Sequence, residues 1–195
     1  MKTSARAAGA GPSFRFRYGS PALDLAVTLR RRTSKQIELL NAPADAEAWL
    51  EQAGLADARL QLGEKELKRL RETREAIYRV GRAAVAGQTP PAADVRTLNL
   101  AARHVDSVPQ LASDWSIQST RRGFDAALAQ IAREAITLFA DADRRARLRT
   151  CEQADCRGLF LDRSRGERRK WCSMARCGSR AKVAAFRQRQ KEHQS

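Results

Sequence analysis

Four cysteines carry the most specific chemistry in this 195-residue chain: Cys151, Cys156, Cys172 and Cys177. They form a C-x4-C-x15-C-x4-C pattern, and no other cysteine is present. Two disulfides, free thiols or one metal site are the alternatives. Disulfides need an oxidising compartment, and the N-terminus MKTSARAAGAGPS lacks the apolar stretch of a secretory signal. Two close pairs of soft thiolates separated by a loop suit a single tetrahedral ion, zinc or iron, and zinc needs no redox partner. Four protein ligands leave no open coordination position, so such an ion is structural and not catalytic. Four thiolates around Zn2+ carry a net charge of −2, which Arg157 and Arg176, each next to a ligand, are placed to offset.

Other chemistry has little material. The chain has two histidines, and there is no H-E-x-x-H, no glycine-rich phosphate loop and no nucleophile elbow. His104, beside Arg103, has no nucleophile in its neighbourhood and reads as a surface residue. The expectation is a protein that is not an enzyme. No apolar run approaches the roughly 18 residues of a membrane span, which points to a cytoplasmic protein, associated with the nucleoid if it binds DNA.

The elements that must hold these residues are mainly helical. Apolar residues make up 43% of the chain and charged residues 30%, enough for a packed core. Pro21 to about Arg32 reads as a helix with Leu25 and Leu29 on one face. Asp45 is placed to cap a helix carrying Ala46, Trp49, Leu50 and Ala53, closed by Gly54. Glu64 to Ala86 repeats Leu67, Leu70, Ile77, Gly81 and Ala84 at helical spacing. The clearest stripe is Phe124, Ala127, Leu128, Ile131, Ala135, Leu138 and Phe139. Gln88 to Ala92 is a loop between helices, and Val105 to Arg122, with Pro109, Trp115 and Ile117, suggests a hairpin around Ala112 to Asp114 that a strand at Phe14 to Tyr18 would join. Trp49, Trp115, Phe124 and Phe139 line either a ligand pocket or simply the core. Between the cysteine pairs, Gly158 to Leu161 is a strand followed by a polar turn with Gly166 at its tip, and Phe160 and Trp171 are candidate covers for the metal. The fold class is therefore mainly α with small β elements (α+β): a helical N-terminal domain and a C-terminal four-cysteine module.

The segment CEQADCRGLFLDRSRGERRKWCSMARCGSRAKVAAFRQRQ resembles the CGNR zinc finger, through its DC pair, LFLD-S-R stretch, RRKWCSMARCG and RAKVAAFRQR. One signature position departs from that family: its Asn after Cys-Gly is Ser179 here. Phe14 to Leu25 (FRFRYGSPALDL) and Ala48 to Leu55 are similar to the opening motifs of the ABATE domain that usually precedes this finger. The resemblance implies an ABATE-like helical domain over 14–140, a treble-clef-like finger over 145–192 with one structural zinc on the four cysteines, and a DNA-binding, stress-induced transcription regulator.

The charge distribution fits that implication. Residues 144–195 hold 16 Lys/Arg against 5 Asp/Glu, whereas the preceding 143 residues hold 21 against 17. A balanced body with a strongly basic end is a footprint of polyanion binding, although a solvated tail would look the same. After Cys177 the chain has high helix propensity, with Arg180, Arg187 and Lys191 on one face and Lys182 and Arg189 on nearly the opposite one. Basic rows on both edges suit a helix in a DNA major groove. Arg163, Arg165, Arg168, Arg169 and Lys170 add a basic loop, and Arg176 completes the candidate nucleic-acid contacts. Double-stranded DNA is the expected partner, with a small-molecule effector of the N-terminal domain or a role in assembly; an RNA-associated or protein-interaction zinc module is the alternative. Few aromatics interleave with the basic residues, which disfavours a single-strand stacking platform.

Overall fold

The computed structural model describes residues 13–56, 60–104, 110–118 and 123–192. These residues are mainly α-helical, with three small antiparallel strand pairs among them. Helix α1 (Pro21–Ala26) leads into a hairpin of β1 (Leu29–Arg30) and β2 (Ile37–Glu38). Helices α2 (Pro43–Gln52), α3 (Glu64–Val85) and α4 (Ala92–Ala101) follow, then a second hairpin of β3 (Gln110–Leu111) and β4 (Ile117–Gln118). Helices α5 (Phe124–Ala140) and α6 (Ala142–Ala146) lead to β5 (Leu148–Thr150), β6 (Leu159–Leu161), a π-helical turn (Met174–Gly178) and α7 (Ser179–Glu192).

The helix starts follow local chemistry. Ser20 Oγ accepts the amide of Leu23 at 3.3 Å, and Pro21 occupies the first helical position, where its missing N–H costs nothing. Helix α1 stops at Ala26, well before Arg32, because the chain turns there into β1. Helix α2 begins at Pro43, so Asp45 caps it from the third helical position, its carboxylate accepting the amides of Asn41 and Ala42 at 2.7 and 3.0 Å. Gly54 ends the helix in the left-handed region, φ +67°, and the Leu55 amide reaches back to Leu50 O at 2.9 Å.

The buried side chains form two clusters. The first is the helical core: Trp49 and Leu50 from α2, Leu67, Leu70 and Ile77 from α3, Leu98 from α4, and Phe124, Leu128 and Ile131 from α5. Trp49 is fully buried there while Trp115 is 83% exposed at the tip of the second hairpin, so the aromatic residues do not line one pocket. The second cluster joins Leu23 of α1 and Leu138 of α5 to Leu148, Leu159, Phe160 and Leu161 of the last hairpin and to Cys151, Cys172 and Cys177. The cysteine module thus shares a core with the helices.

Two glycines permit that approach. A Cβ on Gly81 of α3 would lie 2.5 Å from Leu159 Cδ1, and one on Gly19, at φ +109°, would lie 2.6 Å from Leu161 Cβ. The segment 14–18 forms no strand: Phe14 packs in the helical core, the Phe16 ring lies 5.9 Å from that of Trp49, and the Leu161 amide donates to Tyr18 O at 2.8 Å. Residues 105–109 and 119–122 of the expected hairpin region lie outside the described residues.

Candidate metal centre and basic surface

Each cysteine is delivered by a different local device. Cys151 directly follows β5, its amide donating to Gly158 O at 2.9 Å across the hairpin. The tight turn 152–157 swings Cys156 back beside it, with Arg157 left-handed at φ +50°. Cys172 follows the basic loop, which is folded by buried Asp162: its carboxylate accepts the amides of Ser164 and Arg169 at 2.9 and 2.8 Å. Cys177 sits on the π-helical turn, whose wide bonding lets Ser173 O accept the amides of both Cys177 (2.9 Å) and Gly178 (3.0 Å).

All four sulfurs lie within 4.8 Å of one another, and the Cys156–Cys172 and Cys172–Cys177 sulfur pairs are both 3.7 Å apart. These spacings match the edges of a tetrahedron with Zn–S bonds of about 2.3 Å, and far exceed a disulfide bond of about 2.05 Å. Cys151, Cys172 and Cys177 are buried and Cys156 is half-buried. Sulfurs this close cannot all ionise without a cation. Hydrogen bonding within the cluster holds the Cys177 thiol far below its ordinary range, with Arg180 adding to the effect, and pushes Cys156 and Cys172 far above theirs. The nearby amides of Gly158 and Cys172 favour the thiolate forms of Cys156 and Cys151. A buried set of four thiolate donors with amide and guanidinium support fits one zinc ion.

Two family matches cover the chain. Residues 19–142 match ABATE, described as "Putative stress-induced transcription regulator". The chain belongs to the ABATE family. Residues 147–190 match the CGNR zinc finger, so the four-cysteine cluster of this ABATE protein is the site of one zinc ion. No curated protein matches the chain. Among the described residues no helix is long and apolar enough to cross a membrane.

The basic residues divide into two groups. Several hold the finger together. Arg180 Nη1 donates to Asp155 Oδ2 at 2.5 Å, and its Nη2 reaches Cys177 Sγ at 3.5 Å. Arg169 donates to the carbonyls of Trp171 and Cys172 and lies over the Phe160 ring, 4.9 Å from its centroid. Arg163 donates to Gly19 O at 2.5 Å, and Lys170 pairs with Glu152 at 3.6 Å. Arg165, Arg168, Arg176, Lys182, Arg187 and Arg189 are exposed and have no side-chain partner among the described residues. The side chain of Lys191 lies outside them.

Phe160 is fully buried and Trp171 partly so, both in the cluster that contains the sulfurs. Arg157 offers its carbonyl to Tyr78 Oη of α3 at 3.1 Å, and Arg180, beyond the expected Arg157 and Arg176, makes the contact to sulfur. The sequence reasoning missed Asp155 and the arginines of the first hairpin. Arg31 Nε lies 3.4 Å from Asp155 Oδ2, so the ABATE hairpin touches the metal loop. The only available signals were the acidic residue directly before Cys156 and the run Arg30-Arg31-Arg32.

Proposed function

We propose that this zinc-finger protein is a transcription regulator that binds double-stranded DNA through its C-terminal face, in the cytoplasm at the nucleoid, without catalysing a reaction. The observation that carries this reading is the unpartnered cationic set, Lys182, Arg187 and Arg189 on α7 with Arg165 and Arg168 on the loop before Cys172. Burying such groups against phosphates releases counterions, and each contact steepens the fall of log binding constant with log salt by about 0.9. Helix α7 is exposed along most of its length, so a groove is sterically accessible to it. The N-terminal ABATE domain would sense a small-molecule effector or mediate assembly.

The test is DNA binding of zinc-loaded protein across a salt series. Arg187→Gln with Arg189→Gln weakens binding on every sequence and reduces the slope by about 2. An unchanged slope removes α7 as the contact. The second reading, a protein-interaction module, is favoured by Val183 and Phe186, 49% and 56% exposed on the same helix. Crosslinking in cells that recovers protein or RNA and no discrete promoter sites would select it.

A further inference from the structure

The first hairpin and the finger enclose a cavity of about 330 Å³, within the usual range of small-molecule sites of roughly 300–1,000 Å³. Its apolar wall comes from Val27, Leu29 and Ile37, with the buried ring of Tyr18 beside them. The π-helical turn also lines it, through Ala175 and Arg176. Arg30, Arg31, Arg176 and Arg180 all face the space. Cys156, Cys172 and Cys177 also border it, so the metal centre forms part of its floor.

The charges around this cavity do not cancel. Asp155 neutralises one of the pair Arg31 and Arg180, which share its Oδ2. A four-thiolate zinc centre supplies two negative charges, leaving the wall with one surplus positive charge. Among the described residues Arg176 has no side-chain partner, and Arg30 uses its Nη2 on Ser13 O at 3.0 Å while its buried Nε has no partner. A buried donor left unsatisfied costs free energy that a bound acceptor would recover.

We infer that this seam binds a small amphipathic monoanion, its aromatic or branched aliphatic body against Val27, Leu29 and Ile37 and its carboxylate or sulfonate on Arg30 and Arg176. The ligand would touch the ABATE hairpin and the turn that launches α7 at once, which makes it an effector site. The effector role rests on the DNA-binding reading above; occupancy of the cavity does not.

The test uses the full-length, zinc-loaded protein and the fluorescent monoanion 1-anilinonaphthalene-8-sulfonate, with the neutral N-phenyl-1-naphthylamine as the matched apolar body. One saturable site for the sulfonate is expected, with the neutral dye at least about tenfold weaker. Arg176→Gln should weaken the sulfonate about fivefold or more, and Ala175→Trp should remove the site by filling it; both residues are exposed, so the fold tolerates the changes. Arg187→Gln, away from the cavity lining, should leave dye binding unchanged. Equal binding of both dyes, insensitivity to Arg176→Gln and Ala175→Trp, an equal loss with Arg187→Gln, or no saturable site would each overturn the proposal. Dye binding is read without DNA. If the dye behaves as expected and the protein binds no DNA, the cavity assignment stands and the regulator reading fails.

Discussion

Arg31 and Arg180 meet at one oxygen of Asp155, Arg180 Nη1 at 2.5 Å and Arg31 Nε at 3.4 Å. The first belongs to the ABATE hairpin and the second to the opening turn of α7. Arg31 adopts a left-handed backbone at φ +52°, unusual for a residue with a Cβ. Beside it, Thr33 Oγ1 donates to Ala154 O at 2.5 Å. The start of α7 is thus tethered to the N-terminal domain through the metal loop.

Removing the shared carboxylate should loosen this tether without emptying the metal site. Asp155→Ala is expected to cost about 0.5–1 kcal/mol, since the side chains of Arg31 and Arg180 are both partly exposed. Zinc content should stay at one per chain, while amide exchange in the first turn of α7 rises. Unchanged exchange there would show that the π-helical turn alone orients the helix.

Zinc removal should be felt beyond the finger. Because Leu159, Phe160 and Cys151 share a buried cluster with Leu23 and Leu138, loss of the metal in Cys172→Ser exposes part of the helical core as well. A loss of about 3–5 kcal/mol, lowering the melting temperature by roughly 10 °C, is expected in one cooperative transition. Metal content and calorimetry check this; a helical body that melts as before while the finger is unfolded would contradict it.

The glycine contacts are open to direct test. Gly81→Ala places a methyl group against the end of the Leu159 side chain, and overpacking of this kind costs about 1–3 kcal/mol. Gly19→Ala should cost more, because it meets Leu161 Cβ and must also hold φ +109°. Urea unfolding ranks the two, and the reverse order would mean that the segment before α1 yields more readily than α3.

Much of the metal site was legible because its ligands come in pairs only five residues apart, where local chain geometry decides. The stripe from Phe124 to Phe139 was legible for the same reason: one face of a single helix buries its own apolar side chains. Contacts between distant segments leave no such period. Leu159 against Gly81, Tyr18 O on the Leu161 amide and Arg31 on Asp155 each depend on how separate elements dock. Phe14 to Tyr18 alternates like a strand, yet its backbone bonds go to Asp24 and to Leu161 of β6 and not to the second hairpin. Arg180 and Arg169 look like the other basic residues in sequence, and only their neighbours reveal that they are occupied.

Burial raises the Asp24 carboxyl from 3.8 to about 6, with Glu134 pushing the same way; the amides of Arg17 and Tyr18, which donate to Oδ1, and the more distant Arg163 pull it down. The folded protein therefore holds this proton more tightly than the unfolded chain. Its contribution to stability is full below about pH 4 and is lost as pH rises through about 6. Asp24→Asn keeps an oxygen for the two amides and removes the titration. It should flatten the melting temperature between pH 4 and 7 relative to wild type and raise stability at pH 7 by up to about 3 kcal/mol. Parallel pH profiles for the two proteins would show that Asp24 does not titrate in this range.

The notch at Gly81 makes this finger a poor candidate for transplantation. A chimera that grafted residues 147–190 onto a foreign scaffold would carry the sulfurs across but leave behind the groove that receives Leu159. Recipients would need a helix with a bare Cα at the matching height, or the graft would present an oily underside to solvent.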